Sequence, residues 1–246
     1  MVRLLTYNIR RGGSGREDAL QAVIRACDPD IVVFQEATDP KVIAALAYGA
    51  GMPFHAARPR LSLGFMSRIP IAGYSWHRPR VSRHAFLEIV PKDLPVRLFG
   101  VHLSAVFAAL TERRRMLELR ALVSAIHREQ RGFHVVAGDF NTLAPGEIFD
   151  IRSLPRRVRA TLWLSGGRVR WRTIRLMLDA GYADVFRALN PTDAGLTLPT
   201  PTPQVRLDYV FVPSADLSRV TRCEVVRDSP SRDASDHFPL LAELSL

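Results

Sequence analysis

Lysine is almost missing from this sequence of 246 residues. Only Lys41 and Lys92 occur, so arginine carries nearly all of the positive charge. Cysteine is equally scarce. Cys27 and Cys223 lie far apart and offer neither a disulfide framework nor a CxxC metal site. No apolar run is long enough to cross a bilayer as a helix. The opening residues, Met1 to Asn8, alternate like a strand and lack the apolar stretch and small-residue cleavage site of a secretory signal. A cytoplasmic location is therefore expected. The chain also lacks internal repeats, low-complexity tracts and a linker. Its 47% hydrophobic content fits one large α/β domain or two small ones.

Charge is present in excess. The net charge of +10 and the isoelectric point near 10.6 favour polyanionic partners such as nucleic acid, phosphorylated small molecules or anionic lipid. A composition in which surface arginine simply replaces lysine gives the same number, so charge alone does not select nucleic acid.

The most informative stretch is Phe133 to Asn141. Phe133, Val135, Val136 and Ala137 form a short apolar run stopped by Gly138, the pattern of a buried strand. Asp139 and Asn141 follow, two residues apart, and on an extended backbone they emerge on the same side. A plain turn explains the same pair, because Asp and Asn favour turns.

The motif recurs along the chain. Strands are expected over 2–9, 31–34, 63–66, 86–90, 96–103, 205–212, 220–226 and 240–246. Helices are expected over 18–27, from Pro40 to near Gly49, over 111–130, and in pieces around 148–163 and 171–180. Thr197 to Pro203 reads as a stiff extended loop. Asn8, Glu36, His102 and Asp139 stand at strand ends. Asp208 interrupts a strand, and Asp236 and His237 precede the last one. A strand interior rejects charge unless it is paired or ligates a metal. So many polar residues in this position point to a shared cleft. Each has a structural alternative: a turn at Asn8, a helix-flanking acid at Glu36, an Arg206–Asp208 salt bridge, a core histidine at His102, a plain turn before Pro239 at Asp236 and His237.

Seven segments resemble, in order, the motif set of the endonuclease/exonuclease/phosphatase family: Thr6-Tyr7-Asn8-Ile9, Phe34-Gln35-Glu36, Ser67-Arg68-Ile69-Pro70, Val101-His102-Leu103, Gly138-Asp139-Phe140-Asn141, Arg206 to Phe211, and Ser235-Asp236-His237-Phe238-Pro239. DNase I, apurinic/apyrimidinic endonucleases, sphingomyelinases and inositol-polyphosphate phosphatases are similar. The resemblance implies a four-layer αββα sandwich, two mixed β-sheets face to face with helices outside, as a single domain over 1–246. It also implies Mg²⁺-dependent hydrolysis of a phosphate ester, with Mn²⁺ as a substitute.

Phosphodiester hydrolysis needs a cation on a non-bridging oxygen, an oriented water and a proton for the leaving oxygen. Mg²⁺ takes hard oxygen ligands and keeps several waters, so Glu36 is the best ligand candidate, with Asn8 beside it. By resemblance, Asp236 completes the metal site or holds a second ion. His237 resembles a base or phosphate-contacting histidine, with Asp208 holding its other ring nitrogen. Asp139 would align or deprotonate the water, Asn141 would donate to a phosphate oxygen, and His102 would act as leaving-group acid or transition-state donor. Two positions depart from the abasic-site branch. Arg10 stands where that branch carries an acid, and His102 where it carries a tyrosine. Among the remaining histidines only His84, beside Arg83 and before a strand, is a candidate to line the cleft.

Three functions are compatible with these residues. The first is a nuclease, supported by net charge, by the arginines at 152, 156, 157, 159, 168, 170, 172 and 175, and by Trp163 and Trp171 interleaved with them. The second is a phosphodiesterase or phosphatase on a phospholipid or small phosphoester, for which Ala105 to Leu110 would be a small apolar lid. The third is a non-catalytic binding module of the same fold. A monomer is expected in each case.

Overall fold

The computed structural model describes residues 1–79, 84–105, 109–129, 132–147 and 171–246. Its strands are β1 (Val2–Asn8), β2 (Ile31–Gln35), β3 (Phe54–Ala57), β4 (Leu63–Ser67), β5 (Ile71–His77) and β6 (Phe86–Pro91). They continue as β7 (Arg97–His102), β8 (His134–Asp139), β9 (Tyr182–Asp184), β10 (Asp208–Pro213), β11 (Val220–Val225) and β12 (Leu240–Leu244). The helices are α1 (Glu17–Cys27), α2 (Pro40–Gly49), α3 (Ala109–Glu129), α4 (Arg172–Asp179), α5 (Val185–Leu189) and α6 (Ser229–Ala234).

Two six-stranded mixed sheets result, in the orders β11-β12-β1-β2-β4-β3 and β5-β6-β7-β8-β10-β9. The parallel pairs are β1 with β2 and β7 with β8. These central strands read as nearly continuous apolar runs because both of their faces are covered. Alternate residues go to opposite sides. Val2, Leu4, Ile31 and Val33 meet Val135, Ala137, Val210 and Val212 between the sheets. On one outer face Leu5, Tyr7, Val32 and Phe34 pack on Leu20 and Ile24 of α1 and Ile43 and Leu46 of α2. On the other, Val136, Tyr209 and Phe211 pack on Leu122 and Ile126 of α3 and Ile174 and Met177 of α4. Three apolar cores between four layers make the expected α/β sandwich. No helix among the described residues is long and apolar enough to cross a membrane.

The differences from the sequence reading have local causes. β3 and β5 escaped it because both are edge strands with exposed positions, and their sequences mix His, Gly and Ser with apolar residues. The strand expected from Val205 begins at Asp208 instead, so Asp208 opens β10 and does not interrupt it. Val205 makes only an isolated bridge to Leu198. Between them, the buried Arg206 guanidinium turns to Asp184 and Glu147. The helical pieces expected around 148–163, Trp163, the six arginines from 152 to 170 and the middle of the 105–110 lid lie outside the described residues.

Candidate active site

The parity that builds the inter-sheet core also delivers polar groups to its rim. Val2 and Leu4 lie on the inter-sheet side, so Asn8 at the end of β1 continues that side. The same count carries Leu98 to His102, Val135 and Ala137 to Asp139, and Val210 back to Asp208. β10 runs antiparallel to β8, with Asp208 opposite Asp139, so the start of one strand and the end of the other share an edge. His102 is likewise in register with Asp139. The loop before β12 brings in Asp236 and His237. These four strand-end residues and His237 are almost fully buried, His102 being the most open at 9%.

Gly138 makes this approach feasible. Its φ is +148°, and a Cβ there would lie 2.0 Å from the Val101 carbonyl oxygen. Any other residue before Asp139 would push β7 and β8 apart.

Asp139 is the hub. Its Oδ2 accepts from Asn8 Nδ2 at 3.0 Å and from Asn141 Nδ2 at 3.1 Å, and its Oδ1 accepts from the Asn141 backbone N–H at 2.8 Å. Asn141 does reach the same side as Asp139, but through a turn and not along a strand: β8 ends at Asp139 and Asn141 has φ +51°. The turn alternative and the site are therefore the same object. Asn141 Nδ2 also donates to the Leu103 carbonyl at 2.9 Å.

His237 lies between two carboxylates. Nδ1 meets Asp208 Oδ2 at 2.9 Å, and Nε2 faces Asp139 Oδ2 at 4.0 Å. Burial opposes charge on this ring, yet Asp208, with Asp139 and Asp236 adding, pushes its pKa up to about 10. Asp139 moves up to about 7, mainly through burial and further through Asp208, while His237 opposes the rise. The Arg206–Asp208 pair considered from sequence does not form; Arg206 Nη2 is 2.7 Å from Asp184 Oδ2 and Nε is 2.6 Å from Glu147 Oε1.

His102 Nε2 stands 3.9 Å from Asp139 Oδ2, and its Nδ1 is buried without a hydrogen-bond partner among the described residues. Burial first, then His84 and His237, lower its pKa to about 3. The ring is neutral at ordinary pH, and of the two roles expected from sequence, leaving-group acid or transition-state donor, a neutral ring suits the donor better. His84, the weaker sequence candidate, stacks on it with ring centroids 5.2 Å apart.

Glu36 follows β2 with φ +57°, a left-handed conformation that costs a non-glycine residue energy and is typical of functional turns. The 10–13 loop wraps it: Arg11 N–H donates to Oε2 at 2.5 Å and Gly12 N–H to the backbone carbonyl at 2.9 Å. Asn8 Oδ1 accepts from Arg10 N–H at 3.0 Å. Arg10 Nε in turn lies 3.4 Å from Asp236 Oδ2, a long-range pairing that no local pattern signals. Ser235 Oγ ties the last loop to β1 by donating to the Asn8 carbonyl at 2.7 Å. The proline-rich loop supports it from behind, since Thr200 Oγ1 donates to the Ser235 carbonyl at 2.9 Å.

Among the described residues one group of side chains converges closely enough to hold a cation. Asp139, Asp208 and His237 offer ligand atoms within 4.8 Å of one another, and Asp208 Oδ1 is buried with no hydrogen-bond partner among the described residues. Glu36, Asn8 and Asp236, the ligands expected from sequence, carry oxygen donors of the kind a hard divalent ion takes, and all three are linked through Arg10 and Arg11. In the Asp139–Asp208–His237 group the raised pKa of His237 works against ligation, because a protonated imidazole does not bind a metal.

The model of the Endonuclease/Exonuclease/phosphatase family matches residues 5–237. Solved structures similar in fold include the Neisseria 3′ phosphatase NExo bound to product DNA hairpin, at 19% identity, TM-score 0.75 and 100% coverage of both chains. An AP endonuclease from Archaeoglobus fulgidus is 16% identical at TM-score 0.75, again with 100% of both chains covered. An endonuclease/exonuclease/phosphatase from Beutenbergia cavernae is 24% identical at TM-score 0.73, covering 99% of this chain and 71% of the other. No curated protein matches the sequence.

Proposed function

The chain belongs to the endonuclease/exonuclease/phosphatase family, and on that premise we propose that it is a Mg²⁺-dependent phosphodiesterase whose substrate is nucleic acid. The observation that carries this reading is the Asp208–His237–Asp139 array with Asn8, where strand ends of the two sheets meet. We take residues 1–246 as one catalytic domain acting as a monomer.

Glu36, Asn8 and Asp236 would hold the ion, which would draw charge from a phosphate oxygen when bound. Asp139, poised near pH 7 and fixed by Asn8 and Asn141, orients the attacking water and accepts its proton. His237 stays protonated at neutral pH and donates from Nε2 to a phosphate oxygen, while Asp208 fixes the ring. It therefore serves as the phosphate contact, and the role of base passes to Asp139. His102 adds a neutral N–H donor, and Asn141 a carboxamide at the cleft rim.

Nucleic acid is favoured over a small ester by the net charge of +10 and by neighbours described as a DNA-bound 3′ phosphatase and an AP endonuclease. Plasmid nicking with Mg²⁺ against EDTA tests the reading. Cleavage that needs Mg²⁺ and disappears in Glu36→Gln supports it. Turnover of bis(p-nitrophenyl) phosphate without nicking at any salt would move the substrate to a small ester or phospholipid. Calorimetry showing no Mg²⁺ binding would point to a non-catalytic module.

A further inference from the structure

Helices α3 and α4 pack side by side on the outer face of the second sheet and leave an open groove of about 720 Å³ between them. Its walls follow from helical spacing. On α3, Met116, Arg120, Val123 and His127 recur every three or four residues along one side. On α4, Arg172, Arg175 and Asp179 do the same. The stretch from Met116 to His127 spans about 16 Å of helix axis.

Arg120, Arg172 and Arg175 are exposed, and none forms an ion pair or a side-chain hydrogen bond among the described residues. Other arginines of the chain are held in ion pairs: Arg206 with Asp184 and Glu147, Arg115 with Glu112, Arg227 with Asp193. Asp179 is the one acidic side chain in the groove lining among the described residues. Trp171, at the mouth, is 42% exposed although tryptophan is normally well covered. His127 lines the far end, stacked at 6.2 Å on Tyr182.

We propose that the α3–α4 groove is an accessory binding site for single-stranded nucleic acid, separate from the catalytic cleft. Unpaired guanidinium groups in a row suit a chain of phosphates, and they keep their charge at any physiological pH. An exposed indole beside them suits an unstacked base, a contact that tolerates any sequence. A duplex has no free base face for Trp171, so a single strand is the partner that uses both features. The choice of nucleic acid as the polyanion rests on the function proposed above; the groove itself does not depend on hydrolysis.

The test is fluorescence anisotropy of a labelled oligothymidylate with the full chain, in EDTA so that no cleavage occurs, at a series of salt concentrations. The triple variant Arg120→Ala/Arg172→Ala/Arg175→Ala should bind at least about tenfold more weakly. Its log affinity against log salt should be shallower by about 2, near 0.7 for each lost phosphate contact. Trp171→Ala should weaken binding at least about fivefold with the slope unchanged. Both variants should retain wild-type turnover of bis(p-nitrophenyl) phosphate with Mg²⁺ and wild-type melting temperatures. Unchanged affinity and slope in the triple variant would overturn the proposal. So would equal losses for anionic lipid vesicles, with no preference for the oligonucleotide. A chain that binds the oligonucleotide through these residues but never cuts DNA would leave the groove standing and sink the nuclease reading.

Discussion

Replacing Asp208 by Asn probes the buried dyad most directly. The substitution keeps shape and removes one charge, 2.9 Å from His237 Nδ1. In the native chain the folded pKa of His237 lies near 10, above its ordinary 6.5. A group raised on folding contributes stability that is complete below pH 6.5 and is lost as pH climbs through 10. Without Asp208 the largest raising influence is gone, and the pH-dependent stability that it supplied goes with it. The penalty for Asp208→Asn should thus be greatest near pH 5.5, at about 3–5 kcal/mol, the cost of leaving a buried charge without its partner. It should shrink as pH rises, with a limiting slope of about 1.4 kcal/mol per pH unit. Urea melts of both proteins in EDTA at pH 5.5, 7, 8.5 and 10 measure it. A penalty that stays constant across that range would refute the assignment of the charged ring to His237.

Three further outcomes are expected. Glu36→Gln should lower kcat at least about 100-fold, near 2.7 kcal/mol in barrier, while moving the melting temperature little because the side chain is half-buried; a Mg²⁺ titration of rate beside a thermal melt checks both. Gly138→Ala should cost about 3 kcal/mol or more, since its methyl group would meet the Val101 carbonyl at 2.0 Å, and a urea melt unchanged within about 1 kcal/mol would contradict it. Arg206→Met should destabilise by about 3–5 kcal/mol by stranding Asp184 and Glu147, read as a fall in the urea midpoint with substrate KM as the control.

The two-sheet architecture was legible wherever both faces of a strand are covered. Ile31 to Phe34 announces itself because every residue is apolar, and Phe133 to Ala137 because all but His134 are. The edge strands β3 and β5 were not, since a strand seen by solvent has no reason to be uniformly apolar. The polar strand-end residues were legible for the complementary reason: charge beside a buried strand is costly unless it does something. Arg10 against Asp236, the Thr200 support of the last loop and the His84–His102 stack left no trace in local pattern. They join segments far apart in the chain, and periodicity reports only on neighbours.

The sequence alone determined which side chains stand at the rim, through the period of two that carries Asn8, His102, Asp139 and Asp208 onto the inter-sheet side. Only the tertiary structure decided their protonation. Whether an imidazole is a base, a cation or a neutral donor depends on how dry its surroundings are and which charges lie within a few ångströms. His237 and His102 are the same residue type in the same cleft, and they are driven in opposite directions: burial, then His84 and His237, lowers His102, whereas at His237 the hydrogen-bonded Asp208, with Asp139 and Asp236, outweighs burial.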